Sequence, residues 1–348
     1  MFLKQLLIYE IIKKLSIFDK KKKKKKKKNV TISMNILVII GLILLLAIAI
    51  YCILYCTAKL ILYLTFTPYT KIYPYNPSDL PDETKTIRIF DLNCFWRPWL
   101  LHIGTIEHVR ERSQLVSQRL DNFDVVCLNE SFHYGSTVVR DFVKVMQEKG
   151  FKYVVTTGRV PIFSHWVVDS GVMILSRYPI TKTDYIAYKK ANHWCWWAMK
   201  SCVYARIQIS KKQHINVFAT HLQATAVNKH EIHIDQFKDI HYLMMKHCST
   251  DTAPTFLMGD MNTGSEDTKH YNEMLEGIKM PNYKITDTFQ KVTDRKRTID
   301  YMFLYESKDE TDFKVKNYDI QYDDMDIEGK PYKNISDHPC IKSSFEFE

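Results

Sequence analysis

The stretch Thr255-Phe256-Leu257-Met258-Gly259-Asp260-Met261-Asn262 is an apolar strand that ends in a glycine, a carboxylate and an amide. Alternate side chains of a strand point to the same side, so Asp260 and Asn262 can face one point just beyond the strand end. Gly259 permits another part of the backbone to approach closely. The same residue types also favour tight turns, so this stretch alone indicates either a site or a turn.

Five other short segments repeat this arrangement of a polar side chain at the end of an apolar, strand-like run. They are Asp91-Leu92-Asn93, Leu128-Asn129-Glu130, Thr220-His221-Leu222-Gln223-Ala224, Ile299-Asp300-Tyr301 and Ser336-Asp337-His338-Pro339. A sheet can aim several such side chains at one bound ion. Together the segments predict a metal-dependent site at the ends of strands.

Apolar runs predict an α/β body that begins near residue 86. Helices are predicted over 105–121, 136–149 and 229–247. Many strands are followed directly by another strand, which favours mixed, mainly antiparallel sheets over a doubly wound parallel sheet. The predicted strands are 87–93, 124–129, 170–176, 202–209, 215–221, 255–260, 299–304 and 338–347.

The positive charge of the chain is confined to its beginning. The formal net charge is +10, but residues 1–66 hold 13 of the 49 basic residues and two of the 39 acidic ones, a net of +11. The remaining chain has 36 basic and 37 acidic residues, a net of −1. A body near neutrality lacks the broad basic face that binding of a phosphate backbone usually needs. Nucleic acid is therefore an unfavoured partner.

An uncharged segment from Asn29 to Ala58 predicts one transmembrane helix, assigned to residues 34–58, because about 20 apolar residues span a bilayer. The run Lys20–Lys28 precedes it, and the positive-inside rule then predicts a cytoplasmic N-terminus and a luminal or extracellular body. A start at Met34 would remove most of that orientation signal. A cleaved signal peptide is a second alternative, although its apolar region is normally shorter.

Four domains follow from this pattern. Residues 1–33 are predicted to be a basic tail, 34–58 the transmembrane helix, 59–85 a linker with four prolines, and 86–348 the folded body. The body cysteines lack the spacing of a zinc site. Buried free thiols and disulfides in an oxidising compartment both remain open.

Glu130 and Asn93 suit a hard cation. Glu130 ends an apolar strand, where a buried carboxylate is costly unless a cation or a donor satisfies it. Mg²⁺ prefers one or two carboxylates with water and phosphate oxygens, and Asn93 at the end of the preceding strand could support it. We therefore predict Mg²⁺, with Mn²⁺ as an alternative ion. Taken alone, Glu130 is better explained as a surface residue at a strand end.

Two of the 13 histidines stand out by their contexts. His338 precedes the final strand and Asp300 begins another, so a carboxylate can hold one imidazole nitrogen and make the other a better base. This pattern predicts an Asp300–His338 dyad that activates water. His221 ends an apolar strand and could bind a phosphate oxygen in the transition state, near Asp260 and Asn262.

Two aromatic stretches, His193–Met199 and Phe95–Trp99, suit a lipid interface. Trp194 and Trp196 could insert at the headgroup level or enclose a quaternary ammonium group. Packing in the core explains such tryptophans equally well. Lys200, directly after the first stretch, is a weaker candidate for contact with phosphate.

The ordered set of segments resembles the endonuclease/exonuclease/phosphatase superfamily. Thr220–Ala224 and Ser170–Ile180 are most similar to its neutral sphingomyelinase branch, and the marker strings of the inositol polyphosphate 5-phosphatase branch do not occur. The resemblance covers about residues 86–348 and implies a four-layer α/β sandwich, two sheets packed face to face with helices outside.

The resemblance also implies a role for each polar residue. The residues near the metal ion would be Glu130, Asn93 and Asp337. The residues at the phosphate or at the attacking water would be His221, Asp260, Asn262, Asp300 and His338.

We therefore expect a membrane-anchored, Mg²⁺-dependent phosphodiesterase that acts on sphingomyelin or a related choline lipid, as a phospholipase C does. One alternative is a DNase-like or repair-type nuclease, which the near-neutral body disfavours. The other is an inactive, lipid-binding module of the same fold, which the full polar set disfavours. The oligomeric state is left open.

Overall fold

The computed structural model describes residues 2–65, 74–97, 108–134, 136–224, 228–291, 299–309, 311–330 and 332–348. The chain separates into two compact units, Met1–Ile61 and Leu62–Glu348.

The first unit consists of one long helix, α1, which runs over Phe2–Thr65 and so ends four residues beyond the boundary of the unit. Among the described residues its segment Ser16–Ile61 is long and apolar enough to cross a membrane or to act as a signal sequence. The helix extends beyond the predicted 34–58 at both ends and includes Lys20–Lys28. Lysine is a good helix former, so a lysine run can continue a helix that the apolar segment has nucleated.

The described part of the second unit contains twelve strands in two six-stranded sheets. The strands are β1 Thr86–Trp96, β2 Val125–Ser131, β3 Tyr153–Thr156, β4 Met173–Ser176, β5 Ile180–Ala187, β6 Ser201–Gln208, β7 His214–His221, β8 Thr255–Asp260, β9 Tyr283–Asp287, β10 Asp300–Ser307, β11 Val315–Asp323 and β12 Cys340–Phe347. The first sheet has the order β11-β12-β1-β2-β4-β3 and the second β5-β6-β7-β8-β10-β9. Each sheet has one parallel pair, β1 with β2 and β7 with β8, and its other pairs are antiparallel.

The two sheets pack face to face, with helices on their outer sides. Alternation along β1 sends Ile87 and Ile89 into the core shared with the second sheet, whereas Phe90 and Leu92 pack on the helical side. The ring centroids of Phe256 on β8 and Phe345 on β12 lie 4.6 Å apart across the interface. The predicted four-layer α/β sandwich with mixed, mainly antiparallel sheets is therefore confirmed. The helices are α2 Val109–Gln118, α3 Val138–Glu148, α4 Lys229–Cys248 and α5 Thr268–Gly277.

The sequence-based prediction missed four strands, and they are the four sheet edges: β3, β5, β9 and β11. An edge strand has a neighbour on one side only, and β5 and β11 alternate between half-buried and exposed residues. Such strands lack the continuous apolar run that marks a central strand. The prediction also missed α5. It placed a helix over 105–121, of which Val109–Gln118 is helical and the beginning lies outside the described residues.

The six cysteines of the body are buried free thiols. This is the first of the two alternatives that the sequence left open. Burial raises the pKa of the Cys127 and Cys202 thiols, so both behave as small apolar side chains in their strands.

Candidate active site

Three polar side chains form one row at the ends of three neighbouring strands, β7, β8 and β10, in the second sheet. His221 pairs with Asp260 in the β7–β8 register, and Asp260 pairs with Asp300 in the β8–β10 register. Residues opposite each other in neighbouring strands project to the same face, so all three point toward the first sheet. They are almost fully buried, and His221 Nε2 lies 3.4 Å from Asp260 Oδ2.

Gly259 allows this row to form. Its φ is +129°, and a Cβ at this position would collide with the Thr220 carbonyl oxygen and lie 3.1 Å from Asn129 Nδ2. The absence of a side chain lets β7 and the end of β2 approach the turn that carries Asp260. The structure thus supports the close approach that the sequence indicated at this glycine.

Asn262 closes the turn after β8. Its φ is +48°, a left-handed conformation that asparagine tolerates better than most residues. Its backbone N–H donates to Asp260 Oδ1 at 2.8 Å, and its side-chain Nδ2 donates to the Leu222 carbonyl at 3.2 Å. Asn262 therefore lies beside Asp260 as expected, with one amide hydrogen engaged by the loop after β7. Its contact with phosphate stays a prediction.

The first sheet contributes Asn93 and Glu130 to the same place. Asn93 Nδ2 donates to Asp260 Oδ2 at 3.1 Å and lies 3.4 Å from Glu130 Oε1. Strict alternation along β2 would turn Glu130 away, because Val125, Cys127 and Asn129 share the inner face. A left-handed φ of +53° at Glu130 breaks the alternation, and Glu130 Oε1 comes within 4.0 Å of His221 Nε2.

His338 reaches the row from the loop before β12. Its Nδ1 lies 2.7 Å from Asp300 Oδ2, so the predicted dyad is present in the geometry, and its Nε2 lies 4.0 Å from Asp260 Oδ2. Ser336 fixes this loop, because its hydroxyl donates to the Asn93 carbonyl and accepts a hydrogen bond from the His338 backbone N–H at 3.2 Å. Asp337 is exposed beside it.

Buried negative charge dominates the electrostatics of the site. Burial, with the nearby charge of Asp300, raises the pKa of Asp260 to about 7. Burial also raises the pKa of Glu130, against the charge of Lys200. Burial lowers the pKa of His221 well below its ordinary value. At His338 burial acts in the same direction, but the hydrogen bond and charge of Asp300 outweigh it and raise its pKa to about 10.

These residues fit a divalent cation. Glu130 Oε2 is buried without a hydrogen-bond partner among the described residues, and a cation would satisfy it. The ligand atoms of Asp260, Asp300 and His338 also lie within 4.8 Å of one another. This second set differs from the predicted Glu130, Asn93 and Asp337. Asp300 and His338 already share a hydrogen bond, and the assignment of the ion to Glu130 stays a prediction.

Lys200 belongs to the site more firmly than its sequence context suggested. Its side chain is 4% exposed, and its Nζ donates to the Leu222 carbonyl at 2.5 Å. Its charge lowers the pKa values of both Glu130 and Asp260. Lys200 follows an aromatic segment rather than a strand end, so its sequence context indicated a site residue only weakly.

The tryptophans divide into two groups. Trp96 is buried and packs on Phe142 with ring centroids 4.9 Å apart, so it is a core residue. Trp194 and Trp196 are 72% and 41% exposed in a short 3-10 helix, His193–Trp197. Trp99 lies outside the described residues.

The exposed aromatic segment is tied to the loop that follows His221. The Asn192 backbone N–H donates to Gln223 Oε1 at 2.9 Å, and Gln223 Nε2 donates to the Asn192 carbonyl at 3.2 Å. The segment is therefore held next to the polar cluster.

Two buried residues were missed as site residues. Neither carboxyl oxygen of Asp91 and neither side-chain polar atom of Asn129 has a hydrogen-bond partner among the described residues. Burial, with the charges of Asp300 and Asp260, raises the pKa of Asp91 well above its ordinary value, which favours the neutral acid. Asp91 lies two residues before Asn93 and shares its strand face, a signal that the sequence already contained.

Comparisons with known proteins identify the family to which the chain belongs. Residues 92–338 match the model of the Endonuclease/Exonuclease/phosphatase family. A sphingomyelinase of Dictyostelium discoideum is 23% identical over 209 residues, which are 50% of this chain and 46% of that protein. The chain thus spans about half the length of this curated relative.

Solved structures share the fold. Sphingomyelinase C from Streptomyces griseocarneus has a TM-score of 0.59 at 18% identity, over 75% of this chain and 99% of that one. A beta toxin double mutant from Staphylococcus aureus with bound magnesium ions has a TM-score of 0.57 at 20% identity, over 75% and 99%. The family model spans most of the body and both sheets, and the chain belongs to the endonuclease/exonuclease/phosphatase family.

Proposed function

We propose that this protein is a membrane-anchored, Mg²⁺-dependent phosphodiesterase of the sphingomyelinase type, which releases phosphocholine from sphingomyelin or a related choline lipid. The observation that carries the proposal is the meeting of the Asp300–His338 pair with Asp260, His221 and Asn93 between the ends of two sheets. The sphingomyelinase relatives support the choice of lipid over other phosphodiesters.

His338 is the proposed general base. Because Nδ1–H donates to Asp300 at 2.7 Å, Nε2 of the neutral ring is the nitrogen that can accept a proton from water. The oxygen of that water forms a bond to phosphorus in line with the ester oxygen, whose bond breaks. His338 must be neutral to accept a proton. Because the negative charge around it raises its pKa to about 10, that charge has to be compensated before His338 can act as a base.

Glu130 and Asn93, with Asp337, are the residues we propose to hold Mg²⁺. An ion held there would supply positive charge to the phosphate oxygens and to the departing alkoxide. The beta toxin structure with magnesium supports this choice of metal, and Mn²⁺ is an alternative with similar ligand preferences.

His221, Asn262 and Lys200 are the proposed phosphate contacts. Burial lowers the pKa of His221, so its ring is neutral and one ring nitrogen carries a hydrogen. This N–H can donate to a phosphate oxygen. Lys200 is the cation already buried at the site. Asp260 accepts hydrogen bonds from Asn93 and from the Asn262 backbone, which orients both amides.

The exposed tryptophans and α1 support a lipid surface as the working environment. We propose α1 as a single membrane anchor, the residues between α1 and β1 as a linker and 86–348 as the catalytic domain, with the N-terminus in the cytoplasm. The linker is shorter than the predicted 59–85, because α1 continues to Thr65. Trp194 and Trp196 would then enter the headgroup layer beside the site, since tryptophan favours the interface.

Full-length protein in lipid nanodiscs tests the proposal. The assay measures phosphocholine release from sphingomyelin vesicles with Mg²⁺, with Mn²⁺ and with EDTA, and measures cleavage of plasmid DNA in parallel. We expect Mg²⁺-dependent release from the wild type and loss of release in Glu130→Gln. Cleavage of DNA alone would favour the nuclease, and vesicle binding without turnover would favour the inactive module.

A further inference from the structure

A second group of metal-ligating side chains lies between α4 and α5. His230 and His233 are three residues apart on α4, and His270 and Glu273 are three residues apart on α5. Residues at this spacing lie on one face of a helix, and paired i, i+3 ligands on facing helices are a common way to build a metal site. The proposed function uses none of these four residues.

The buried half of this group has the spacing of two ligands on one ion. His233 and His270 are 0% and 3% exposed, and His233 Nδ1 lies 3.2 Å from His270 Nε2. Two nitrogens bound to a tetrahedral Zn²⁺ at about 2.0–2.1 Å would lie about 3.3 Å apart. In the structure this contact is a hydrogen bond between the two rings, and a shared zinc ion would replace it at nearly the same separation.

The protonation of His233 also suits a ligand. Its Nε2 lies 2.7 Å from the Gln223 carbonyl, which can only accept, so Nε2 carries the proton and Nδ1 presents a lone pair. Metal-bound histidines usually donate their second N–H to such a carbonyl.

The other half of the group is open to solvent. His230 Nε2 contacts the Glu273 carboxylate, and their side chains are 39% and 34% exposed. The His230 ring lies 4.2 Å from the His270 ring, centroid to centroid. In the structure these two side chains pair with each other, and a shell of three nitrogens and one oxygen would require both to rotate toward His270. An ion can also enter from this side.

We propose that His230, His233, His270 and Glu273 bind one Zn²⁺ between α4 and α5. The nitrogen-rich shell favours Zn²⁺ over Mg²⁺, which prefers oxygen ligands, so this site and the proposed catalytic site select different metals.

The zinc site would brace the loop that follows β7. His233 Nε2–H donates to the Gln223 carbonyl, two residues after His221, and an ion on Nδ1 would hold the ring in this orientation. Nδ1 also lies 3.2 Å from the Thr263 hydroxyl, and a bound ion would take the place of that contact.

Cobalt provides the test, since tetrahedral Co²⁺ absorbs strongly in the visible range. Full-length protein, purified with a histidine-free tag and stripped of metal by EDTA, is titrated with Co²⁺ and then with Zn²⁺. We expect one equivalent of Co²⁺ to give the tetrahedral band and Zn²⁺ to abolish it. His233→Gln and His270→Asn should each weaken Co²⁺ binding by at least about tenfold.

Two matched controls separate this site from others. Glu130→Gln, at the proposed catalytic metal site, and His241→Asn, elsewhere on α4, should both keep the band. Circular dichroism shows whether the two buried histidine variants fold. If they do not, Co²⁺ binding by Glu273→Gln and His230→Asn tests the site instead, because both side chains are half exposed and their replacement should not disturb folding. Three outcomes would each overturn the proposed site. They are the absence of the band in the wild type, its loss in Glu130→Gln, and full Co²⁺ binding in all four ligand variants.

Discussion

Gly259→Ala is the substitution whose effect the structure specifies most closely. At a φ of +129° a side chain adds about 1–3 kcal/mol of backbone strain. The new Cβ would also meet the Thr220 carbonyl and lie 3.1 Å from Asn129 Nδ2, and such overpacking costs about 1–3 kcal/mol. We therefore expect the free energy of unfolding to fall by about 2–6 kcal/mol.

Gly329→Ala is the matched control for this substitution. Its φ is +73°, but no atom lies within 4 Å of the added Cβ, so only the strain of about 1–2 kcal/mol remains. Thermal unfolding followed by tryptophan fluorescence should give a melting temperature about 4–8 °C lower for Gly259→Ala than for Gly329→Ala, corresponding to about 2 kcal/mol of added steric cost.

Activity gives a second measure of the same change. The clash lies on the residue before Asp260, so relief by backbone movement would displace that carboxylate from Asn93 and His221. We expect turnover of sphingomyelin to fall in Gly259→Ala and to stay at the wild-type level in Gly329→Ala. Equal melting temperatures and equal turnover in the two variants would refute the reasoning.

Three further perturbations test the charges of the body. His338→Ala should lower kcat on sphingomyelin by about 10²–10⁴-fold, with Mg²⁺ affinity unchanged by calorimetry. Lys200→Met should raise the pKa of Glu130 further, since burial already raises it and Lys200 opposes that effect, so the acidic limb of the pH–activity profile should move to higher pH. Asp251→Asn should lower the free energy of unfolding at pH 7 by about 3 kcal/mol.

The effect of Asp251→Asn should depend on pH in a defined direction. Burial acts to raise the pKa of Asp251, but hydrogen bonds from His214 and the Ala253 N–H outweigh it and lower the pKa. A lowered folded-state pKa gives stability that is present above the unfolded value, about 3.9, and is lost as pH falls through the folded value. The gap between variant and wild type should therefore shrink in urea titrations at pH 3. A gap that stays constant would contradict this origin.

The other two perturbations have their own controls. Lys238→Met removes an exposed lysine that is paired with Asp235, and it should leave the pH–activity profile in place. A profile that moves equally in both lysine variants would point to net charge rather than to Lys200. For His338→Ala, retained turnover would remove the histidine from the role of base.

The central strands and their polar ends could be predicted because their signals are local. Apolar runs such as Thr255–Gly259 need burial on both faces, which only a sheet interior provides. The edge strands β5 and β11 carry no such run, because half of each strand faces solvent. Their pairing depends on neighbours that are distant in the chain.

The sequence indicated which residue types form the site, whereas the geometry of the site depends on packing between residues that are distant in the chain. Asn93, Glu130, Asp260, Asp300 and His338 each end or flank an apolar run, so the sequence by itself determined which residue types gather at the strand ends. Only the tertiary structure decided that the left-handed backbone at Glu130 turns its carboxylate inward and that Asn93 bonds Asp260 across the two sheets. A backbone torsion and a contact between residues 167 positions apart follow from packing of the whole core, which no local pattern encodes.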